Sequence, residues 1–289
     1  MSTLLPGYTL DVNPADIASR LETVKAEVPS LSVPDVYTKC FSSIDLTTLN
    51  ATDTLDKGKK MAELVTRFPE TYKNLPNVAA ICVYPSLVNV VRRNLKADGV
   101  SIASVAAGFP ASQTFIDVKI SECIMAVENG ADEVDIVISL GSFLSGDYDT
   151  VAAEVEQIKD AIGDAHLKVI LETGALPDLS AIRLASLLVM EAGADFIKTS
   201  TGKMEPAATP EAALVMVDAI KDYHTKTGRK VGFKPAGGIV TTPEAVLYYN
   251  IVRTVLGEEW LNSTLFRIGA SRLANNLLTD ITGLEAHYF

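Results

Sequence analysis

The chain has 289 residues, of which 48% are hydrophobic and 21% are charged, and its formal net charge at pH 7 is −11. Barrels of alternating strands and helices reach this length as one domain, and the composition is typical of a globular protein in water. The negative charge argues against a nucleic-acid-binding surface, so a site for an anion has to be a local positive pocket.

The three cysteines, Cys40, Cys82 and Cys123, are widely spaced and form no C-x-x-C pair. This spacing argues against a disulfide framework or a zinc cage and favours a reducing cytosol. The first residues lack the basic and apolar segments of a secretion signal, and no apolar run reaches the length of a membrane span. We therefore expect a cytoplasmic protein that does not enter a membrane.

Residues 1–39 are expected to form a helical extension packed on a barrel made of residues 40–289. Asn13 followed by Pro14 is typical of a helix start, and Ile17, Leu21 and Val24 then recur on one helical face. One hypothesis is that this helix covers the N-terminal end of the barrel. No linker or low-complexity segment divides the chain, which predicts a single domain overall.

Short β-rich segments alternate with stretches of helical periodicity in the rest of the chain, such as residues 148–162. The predicted strands cover residues 40–45, 77–84, 100–106, 133–139, 168–172, 196–199, 231–235 and 265–268. Strands that alternate with helices imply parallel pairing. We predict an α/β fold, a (β/α)8 TIM barrel with an N-terminal helical extension. A doubly wound open sheet is the alternative, but no G-x-G-x-x-G motif follows the first strand.

Two helix starts are recognisable late in the chain. Thr209 and Thr242 each precede a proline and then a glutamate. A capping hydroxyl, a proline in the first turn and an early acidic residue together predict that helices begin at these two positions.

The fourth predicted strand carries a carboxylate toward the barrel interior. Side chains alternate along a strand, so Asp135 points inward if Val134 and Ile136 face the helices. There it could balance the charge of lysines, relay protons, or do both. Lys168 and Glu172 share one parity in the fifth strand, which suggests a polar interior whose individual roles the sequence does not resolve.

The sixth predicted strand carries Lys198 on the face opposite to Ile197. An inward lysine near the C-terminal end of a barrel strand lies where barrel enzymes have their active sites. A buried ammonium group is costly unless it is paired or deprotonated. This strand alone leaves two interpretations open, a lysine that is ion-paired inside the barrel and a catalytic amine.

The seventh predicted strand places Lys234 at the height of Lys198. Neighbouring strands lie about 5 Å apart, so two ammonium groups at this distance would repel each other. The one that loses its proton more easily would become a neutral amine, which is a known route to a Schiff-base nucleophile. The pair therefore favours the catalytic interpretation over a purely structural one.

Glycine-rich turns follow the last three predicted strands, at Gly202, at residues 237–238 and at residues 269–271. In barrels the loops after the seventh and eighth strands commonly bind phosphate, because glycine lets backbone N–H groups approach the oxygens. Lys203 and Arg272 could add positive charge. Glycines also occur in ordinary turns, but their placement after consecutive strands favours a phosphate site.

These residues lie in motifs that resemble the deoxyribose-phosphate aldolase family, whose members are class I, Schiff-base aldolases. The resemblance covers roughly residues 40–273, and FIKTSTGK at 196–203 and GFKPAGG at 232–238 are its most specific motifs. Further matching motifs are DLTTL at 45–49, AICVYP at 80–85 and GADEVD at 130–135.

The resemblance implies that Lys198 is the Schiff-base lysine, Lys234 the second lysine that perturbs it, and Asp135 the aspartate of the proton relay. It also implies reversible cleavage of 2-deoxy-D-ribose 5-phosphate to D-glyceraldehyde 3-phosphate and acetaldehyde, in deoxyribose phosphate catabolism, without a cofactor or metal. The expected substrate-binding residues are Asp45, Thr47, Cys82, Thr201, Gly202, Lys203, Gly237, Gly238, Gly269, Ser271 and Arg272.

The chain departs from the family pattern at three points. Family members often carry an arginine where this chain has Val240, and a small hydroxyl residue where it has Arg272. We hypothesise that Arg272 supplies the missing positive charge. Some relatives end in a tyrosine thought to visit the active site, of which Tyr288 would be a shifted equivalent. A reactive thiol at Cys82, near the predicted barrel mouth, is a further hypothesis.

Other functions remain as alternatives. The chain could be another lysine-dependent aldolase or a transaldolase for a different sugar phosphate, or a non-catalytic sugar-phosphate-binding protein. A metal-dependent aldolase is disfavoured because the three histidines, His166, His224 and His287, lack metal-ligand spacing. The expected partners are a phosphorylated sugar and an aldehyde, with no nucleic acid and no membrane, and a homodimer is a hypothesis.

Overall fold

Eight parallel strands form the wall of a barrel in the computed structural model, which describes residues 5–289. They are β1 (Ile44–Thr47), β2 (Ala80–Val83), β3 (Ser101–Val105), β4 (Glu133–Val137), β5 (His166–Ile170), β6 (Phe196–Lys198), β7 (Gly232–Lys234) and β8 (Ile268–Ala270). Consecutive strands pair from β1 to β7, and β8 pairs with β1. Two isolated bridges, from Phe233 to Phe266 and from Ala236 to Gly269, join β7 to the chain around β8. The predicted TIM barrel is confirmed.

Helices surround the strands. They are α1 (Pro14–Leu31), α2 (Pro34–Ser42), α3 (Leu55–Thr71), α4 (Pro85–Asn94), α5 (Ile116–Glu128), α6 (Leu140–Leu144), α7 (Tyr148–Ile162), α8 (Leu179–Glu191), α9 (Pro210–Thr227), α10 (Thr242–Leu256) and α11 (Leu273–Thr282). Short 3₁₀ helices cover Thr173–Ala175 and Glu258–Trp260. Within residues 5–289, no helix combines the length and the apolar character that crossing a membrane requires.

The core lies between the strands and the helices. Val134 and Ile136 of β4 are buried there, as the alternation predicted, together with Val151, Val155 and Ile158 of α7. Because outward side chains pack against the helices, the alternate residues of each strand point into the barrel. The interior is therefore available for polar side chains.

Helix α1 packs against α9 and α10, the helices that follow β6 and β7. The Asn13 side chain accepts a hydrogen bond from the Ala15 N–H, and Ile17, Leu21 and Val24 are buried, so the predicted helix start and apolar face are confirmed. Helix α2 spans the expected boundary between residues 39 and 40. The division into an extension and a barrel stays a prediction.

Two predicted strand positions are wrong. Residues 40–42 belong to α2, because Pro34 and Asp35 start a helix whose Val36 and Cys40 are buried at helical spacing. The last strand begins at Ile268 rather than at residue 265, since pairing with Ile44 of β1 starts only there. The preceding residues form a turn closed by N–H bonds to the Asn262 carbonyl.

The start of α10 lies one residue earlier than predicted. Thr241, not Thr242, is the capping residue, and its hydroxyl accepts from the Glu244 N–H while the Glu244 carboxylate accepts from the Thr241 N–H. This reciprocal arrangement needs a glutamate three residues after the cap, which only Thr241 has. The predicted cap at Thr209 is confirmed, because its hydroxyl accepts from the Ala212 N–H.

Candidate active site

A network of buried charges fills the barrel interior. Its members are at most 4% exposed: Asp45, Glu133, Asp135, Lys168, Lys198, Lys234 and Arg267. The strand register sets their heights, since Asp135 lies opposite Lys168 and Lys198 lies opposite Lys234. Four cationic side chains against three carboxylates give the network a formal surplus of one positive charge.

One part of the network is closed on itself. The Arg267 guanidinium lies 2.7 Å from Asp45 Oδ1 and 2.7 Å from Glu133 Oε1. Lys168 Nζ contacts Glu133 and donates to Asp135 Oδ1 at 3.2 Å. Each buried charge here has partners of opposite sign, which offsets the cost of removing it from water.

Lys198 and Lys234 share a single carboxylate oxygen. Their ammonium groups donate to Asp135 Oδ2 at 2.8 and 2.7 Å, which places the two nitrogens within about 5.5 Å of each other. Lys234 Nζ also lies 2.5 Å from Asp45 Oδ2, as an ion pair without hydrogen-bond geometry. Within residues 5–289, Lys198 has no second acidic partner. Lys234 is thus paired twice, whereas Lys198 has only a share of Asp135.

The paired groups are held in their charged forms. Burial acts to raise the pKa of Asp135, but Lys168, Lys198 and Lys234 outweigh burial and hold that pKa well below its usual range. Burial acts to lower the pKa of Lys234, but Asp135 and Asp45 outweigh it and raise the pKa above its ordinary value. At neutral pH, Asp135 is therefore a carboxylate and Lys234 an ammonium.

A cavity of about 230 Å³ opens where the strands end, at the C-terminal face of the barrel. It is lined by ten of the fourteen predicted site residues: Thr47, Lys198, Thr201, Gly202, Lys203, Gly237, Gly238, Gly269, Ser271 and Arg272. The other four, Asp45, Cys82, Asp135 and Lys234, are fully buried and do not line it. The structure thus brings the lysine of β6 and the late glycine turns to one cavity.

Backbone N–H groups surround one part of this cavity. Those of Gly202, Gly237, Gly238 and Ser271 form no hydrogen bond with any group of residues 5–289. The backbone is left-handed at Gly237, with φ of 89°, and a Cβ there would lie 2.7 Å from the Ala207 Cβ. Only glycine fits this position, and unpaired N–H groups around a concavity are typical of anion sites.

Two loops of the cavity are joined by a threonine. The Thr199 hydroxyl accepts from the Ala236 N–H at 3.0 Å and lies 3.1 Å from the Ala236 carbonyl oxygen, so the loop after β6 is fixed to the loop after β7. On the other side, Lys203 Nζ donates to the Leu49 carbonyl, on the loop after β1.

Arg272 is exposed and forms no ion pair within residues 5–289. Its guanidinium is the free cation of the cavity in that part of the chain.

Glu133 and Arg267 belong to the charge network of the site but are not among the residues predicted from the sequence. Both could have been found from parity, because Glu133 lies two residues before Asp135 and Arg267 two before Gly269. The alternation of side chains within one strand does not show which charged groups pair between strands.

Cys82 and Tyr288 lie apart from the cavity lining. Burial raises the pKa of the Cys82 thiol, although Lys234 acts in the opposite direction, so the thiol is not a reactive thiolate at neutral pH. The Tyr288 hydroxyl donates to the Leu64 carbonyl on α3 at 2.8 Å, and its ring packs on Phe68 and Tyr72. Within residues 5–289, no group of three or more histidine, cysteine or acidic side chains has an arrangement that could hold a metal ion.

Comparison with known proteins places this geometry in a family. A model of the DeoC/LacD family of aldolases matches residues 40–255. The deoxyribose-phosphate aldolases of Mus musculus and Homo sapiens are 45% and 42% identical to this chain, each over 86% of it and 83% of the relative. The solved structure of the deoxyribose phosphate aldolase of Aeropyrum pernix is similar with a TM-score of 0.68 at 25% identity, over 93% of this chain and 98% of that one.

Proposed function

The chain belongs to the DeoC/LacD family of aldolases, and we propose that Lys198 is the residue through which it acts on its substrate. The activity is that of the family's deoxyribose-phosphate aldolases, the reversible cleavage of 2-deoxy-D-ribose 5-phosphate to D-glyceraldehyde 3-phosphate and acetaldehyde. One observation carries the residue assignment: Lys198 and the four unpaired N–H groups line the same cavity. A sugar phosphate needs both, an amine at its aldehyde end and donors at its phosphate end.

The amine has to be neutral to attack a carbonyl carbon. Lys234 is held as an ammonium by two carboxylates, and it stands beside Lys198, which shares one of them. In a network with a surplus of one positive charge, loss of one proton restores the balance. The network is neutralised with the fewest broken ion pairs when Lys198 is the group that gives up this proton.

The first half of the reaction forms the covalent intermediate. The Lys198 amine adds to C1 of the open-chain sugar, and the carbinolamine loses its hydroxyl as water to give the iminium. Asp135 and Lys234 transfer the protons for this step, since both lie within hydrogen-bond reach of the amine or of its partner oxygen.

The second half breaks the carbon–carbon bond. Removal of the proton from the C3 hydroxyl turns C3 into a carbonyl, and the electrons of the C2–C3 bond move toward the iminium. Glyceraldehyde 3-phosphate leaves, and an enamine remains on Lys198. Protonation at C2 and hydrolysis of the resulting iminium release acetaldehyde and restore the free amine. The iminium accepts the electrons, so no step requires a cofactor.

We propose that the phosphate binds at the N–H groups of Gly202, Gly237, Gly238 and Ser271, with Arg272 as the nearby cation. Glycine turns of this kind and the charge of a guanidinium together favour a dianion over a neutral group. Thr47, Lys203 and Gly269 also line the cavity, and their predicted contacts with substrate are part of this proposal. Thr201 lines it too, but both of its hydrogen-bond donors bind Glu172. Asp45 and Cys82 are buried and do not line the cavity, so their predicted effect on the substrate would be indirect.

Borohydride reduction in the presence of acetaldehyde tests the assignment. We expect an ethyl adduct on the peptide that contains Lys198 and none on the peptide that contains Lys234. Replacement of Lys198 by methionine should abolish the adduct, and EDTA should leave both the adduct and the activity unchanged. An adduct on Lys234 alone, or none at all, would contradict the proposed role of Lys198.

Location and assembly are separate proposals. The three cysteines are buried and unpaired, which supports a reducing cytoplasm. We further propose a homodimer, supported by exposed apolar side chains at Phe115, Val118 and Met125 on and beside α5. The Aeropyrum pernix protein is described as tetrameric, which is a property of that protein. Light scattering of the purified chain measures its mass in solution, and a monomer would refute the dimer.

A further inference from the structure

Glu172 stands out among the buried residues that the proposed mechanism does not use. Its residue is 2% exposed, yet no lysine, arginine or histidine within residues 5–289 forms an ion pair with it. Buried carboxylates without a cationic partner are rare in folded proteins. Its backbone is also left-handed, with φ of 51° and ψ of 59°, a conformation that costs a non-glycine residue free energy.

The Glu172 carboxylate is used to hold the turn that follows β6. Its Oε1 accepts the Thr201 N–H at 3.0 Å, and its Oε2 accepts the Thr201 hydroxyl at 2.5 Å. The Thr201 hydroxyl oxygen in turn accepts the Lys203 N–H at 3.0 Å. These three bonds fix the residues on both sides of Gly202, whose own N–H is left without a partner within residues 5–289.

The backbone around Glu172 supports the same turn from a second direction. The Thr173 N–H donates to the Thr199 carbonyl at 2.9 Å. A Cβ at Gly174 would lie 2.0 Å from the Pro206 carbonyl oxygen, so the two loops are packed backbone to backbone. The left-handed conformation of Glu172 is what brings residues 173–175 against the loop after β6 while the carboxylate reaches Thr201.

We infer that Glu172 is a positioning residue for the phosphate end of the substrate. By accepting both donors of Thr201 it removes them from the cavity and leaves the Gly202 N–H directed to the anion. Glu172 lines no part of the cavity itself, so it acts through Thr201 and not by contact with substrate. The inference rests on the proposed phosphate site. It means that Glu172, on the loop after β5, determines how the N–H groups of that site are oriented.

The test compares substrates with and without a phosphate group in the Glu172→Gln variant. Glutamine keeps the size and one acceptor oxygen, but its NH2 group is a donor only, so it can accept just one of the two Thr201 donors. We expect KM for 2-deoxyribose 5-phosphate to rise about tenfold, the loss typical of one charge-assisted hydrogen bond, with kcat within about twofold. The kcat/KM for unphosphorylated 2-deoxyribose, followed as acetaldehyde release, should stay within about twofold.

Three further variants make the result specific. Thr201→Val removes the hydroxyl from the other side of the contact, and we expect the same selective rise in KM. In the double variant the rise should be smaller than the product of the two single effects, because both remove one interaction. Glu122→Gln is the matched control: its carboxylate also accepts a loop N–H, that of Gly108 at 2.8 Å, but away from the cavity, and both substrates should be unaffected.

The outcomes separate this inference from the proposed function. Equal losses for both sugars, or no loss for either, would overturn the positioning role. If Glu172→Gln does not fold, the Thr201→Val variant decides by the same ratio of KM values. Trapping with acetaldehyde and borohydride uses no phosphate, so an adduct on Lys198 in every variant would show that the Schiff-base chemistry is intact even where the positioning role fails.

Discussion

The interior of this barrel has two regions that treat the same side chain differently. The closed region consists of Lys168, Lys234, Arg267 and their carboxylate partners, and in it Lys168 and Lys234 each contact at least two carboxylates and have no exposed surface. Lys198 lies at the cavity, where it shares one oxygen of Asp135 with Lys234. All three lysines come from consecutive strands, β5 to β7. In the proposed mechanism, the number of carboxylates within reach, and not burial alone, separates a structural ammonium from the reactive amine.

The same contrast holds for the backbone. In the closed region every charged side chain is ion-paired within the protein, whereas at the cavity four backbone N–H groups have no partner among residues 5–289. Unmade hydrogen bonds cost stability, so their concentration at one place marks where binding free energy is available to a ligand. Substitutions in the two regions should therefore have different consequences: those at the cavity should change activity, and those in the closed region should change stability.

Lys198→Met should have the largest effect, and that effect should be limited to activity. We expect kcat/KM to fall about 10⁴-fold or more, because the nucleophile is lost. Asp135 keeps Lys168 and Lys234 as partners and the network loses its surplus positive charge, so the free energy of unfolding should change little. A coupled assay for glyceraldehyde 3-phosphate and urea denaturation measure the two quantities, with exposed Lys221→Met on α9 as the control. Activity within tenfold of the parent enzyme would remove Lys198 from the mechanism.

Lys234→Met, unlike Lys198→Met, should lower the free energy of unfolding. It removes the closer of the two ammonium groups beside Asp45, leaving Lys168 Nζ at 3.8 Å, and it removes one of the three lysines around Asp135. Breaking a buried ion pair from one side typically costs about 3–5 kcal/mol of unfolding free energy. Urea denaturation at neutral pH measures this loss. If Lys234→Met and Lys198→Met cost the same, the distinction between the two regions is wrong.

Acid should weaken the closed region selectively. Burial opposes ionisation of Asp45, Glu133 and Asp135, but their lysine and arginine partners outweigh it, so each pKa is lowered in the folded state. Stability from a lowered carboxyl pKa is complete above the unfolded value near 4 and is lost as the pH falls. At pH 3 the loss is about 1 kcal/mol for each carboxylate.

The two lysines of the closed region keep their contribution to stability at moderately alkaline pH. The pKa values of Lys168 and Lys234 are raised, because their carboxylate partners outweigh burial. Their contribution to the free energy of unfolding is therefore lost only above pH 10.5. Unfolding free energy should thus be flat between about pH 5 and pH 8 apart from surface groups, and above pH 8 it should fall because the three buried cysteines, whose pKa values burial raises, ionise first in the unfolded chain. A decline that begins near pH 7 would contradict the charge states assigned to the network. Thermal unfolding followed across this range measures it.

Arg272→Ala is expected to have the smallest effect, limited to the phosphate end of the cavity. Its guanidinium is exposed, so we expect KM for 2-deoxyribose 5-phosphate to rise about five- to tenfold, with kcat and the free energy of unfolding unchanged. Unphosphorylated 2-deoxyribose should not distinguish the variant from the parent. An unchanged KM for the phosphorylated sugar would refute the idea that Arg272 replaces an arginine common in the family.

The sequence was sufficient for the parts of the site that one strand and its turn define. Lys198, Lys234 and Asp135 follow from alternation within a strand, and the glycine turns from their position after β6, β7 and β8. Arg267 and Glu133 were missed because their role depends on the register between β1, β4, β5 and β8. Charge pairing across strands is a property of the closed barrel and not of any one segment.

Local patterns also competed with each other where the predictions failed. Cys40 lies in a β-rich segment, yet the helix started by Pro34 takes it, because a proline-led turn with apolar residues at helical spacing is the stronger signal. At α10, two adjacent threonines offered a cap, and the position of Glu244 decided between them. Glu172 shows a further limit: nothing in its sequence context predicts a left-handed backbone.

The isolated bridges between β7 and β8 have a consequence for how the barrel holds together. This is the one junction of the wall in residues 5–289 without a continuous ladder, and the loops with unpaired N–H groups leave from both sides of it. A phosphate that accepts from Gly238 on one side and Ser271 on the other would span the gap. Substrate would then complete the circumference of the barrel, and amide hydrogen exchange of β7 and β8 should slow on binding more than that of β2 or β3.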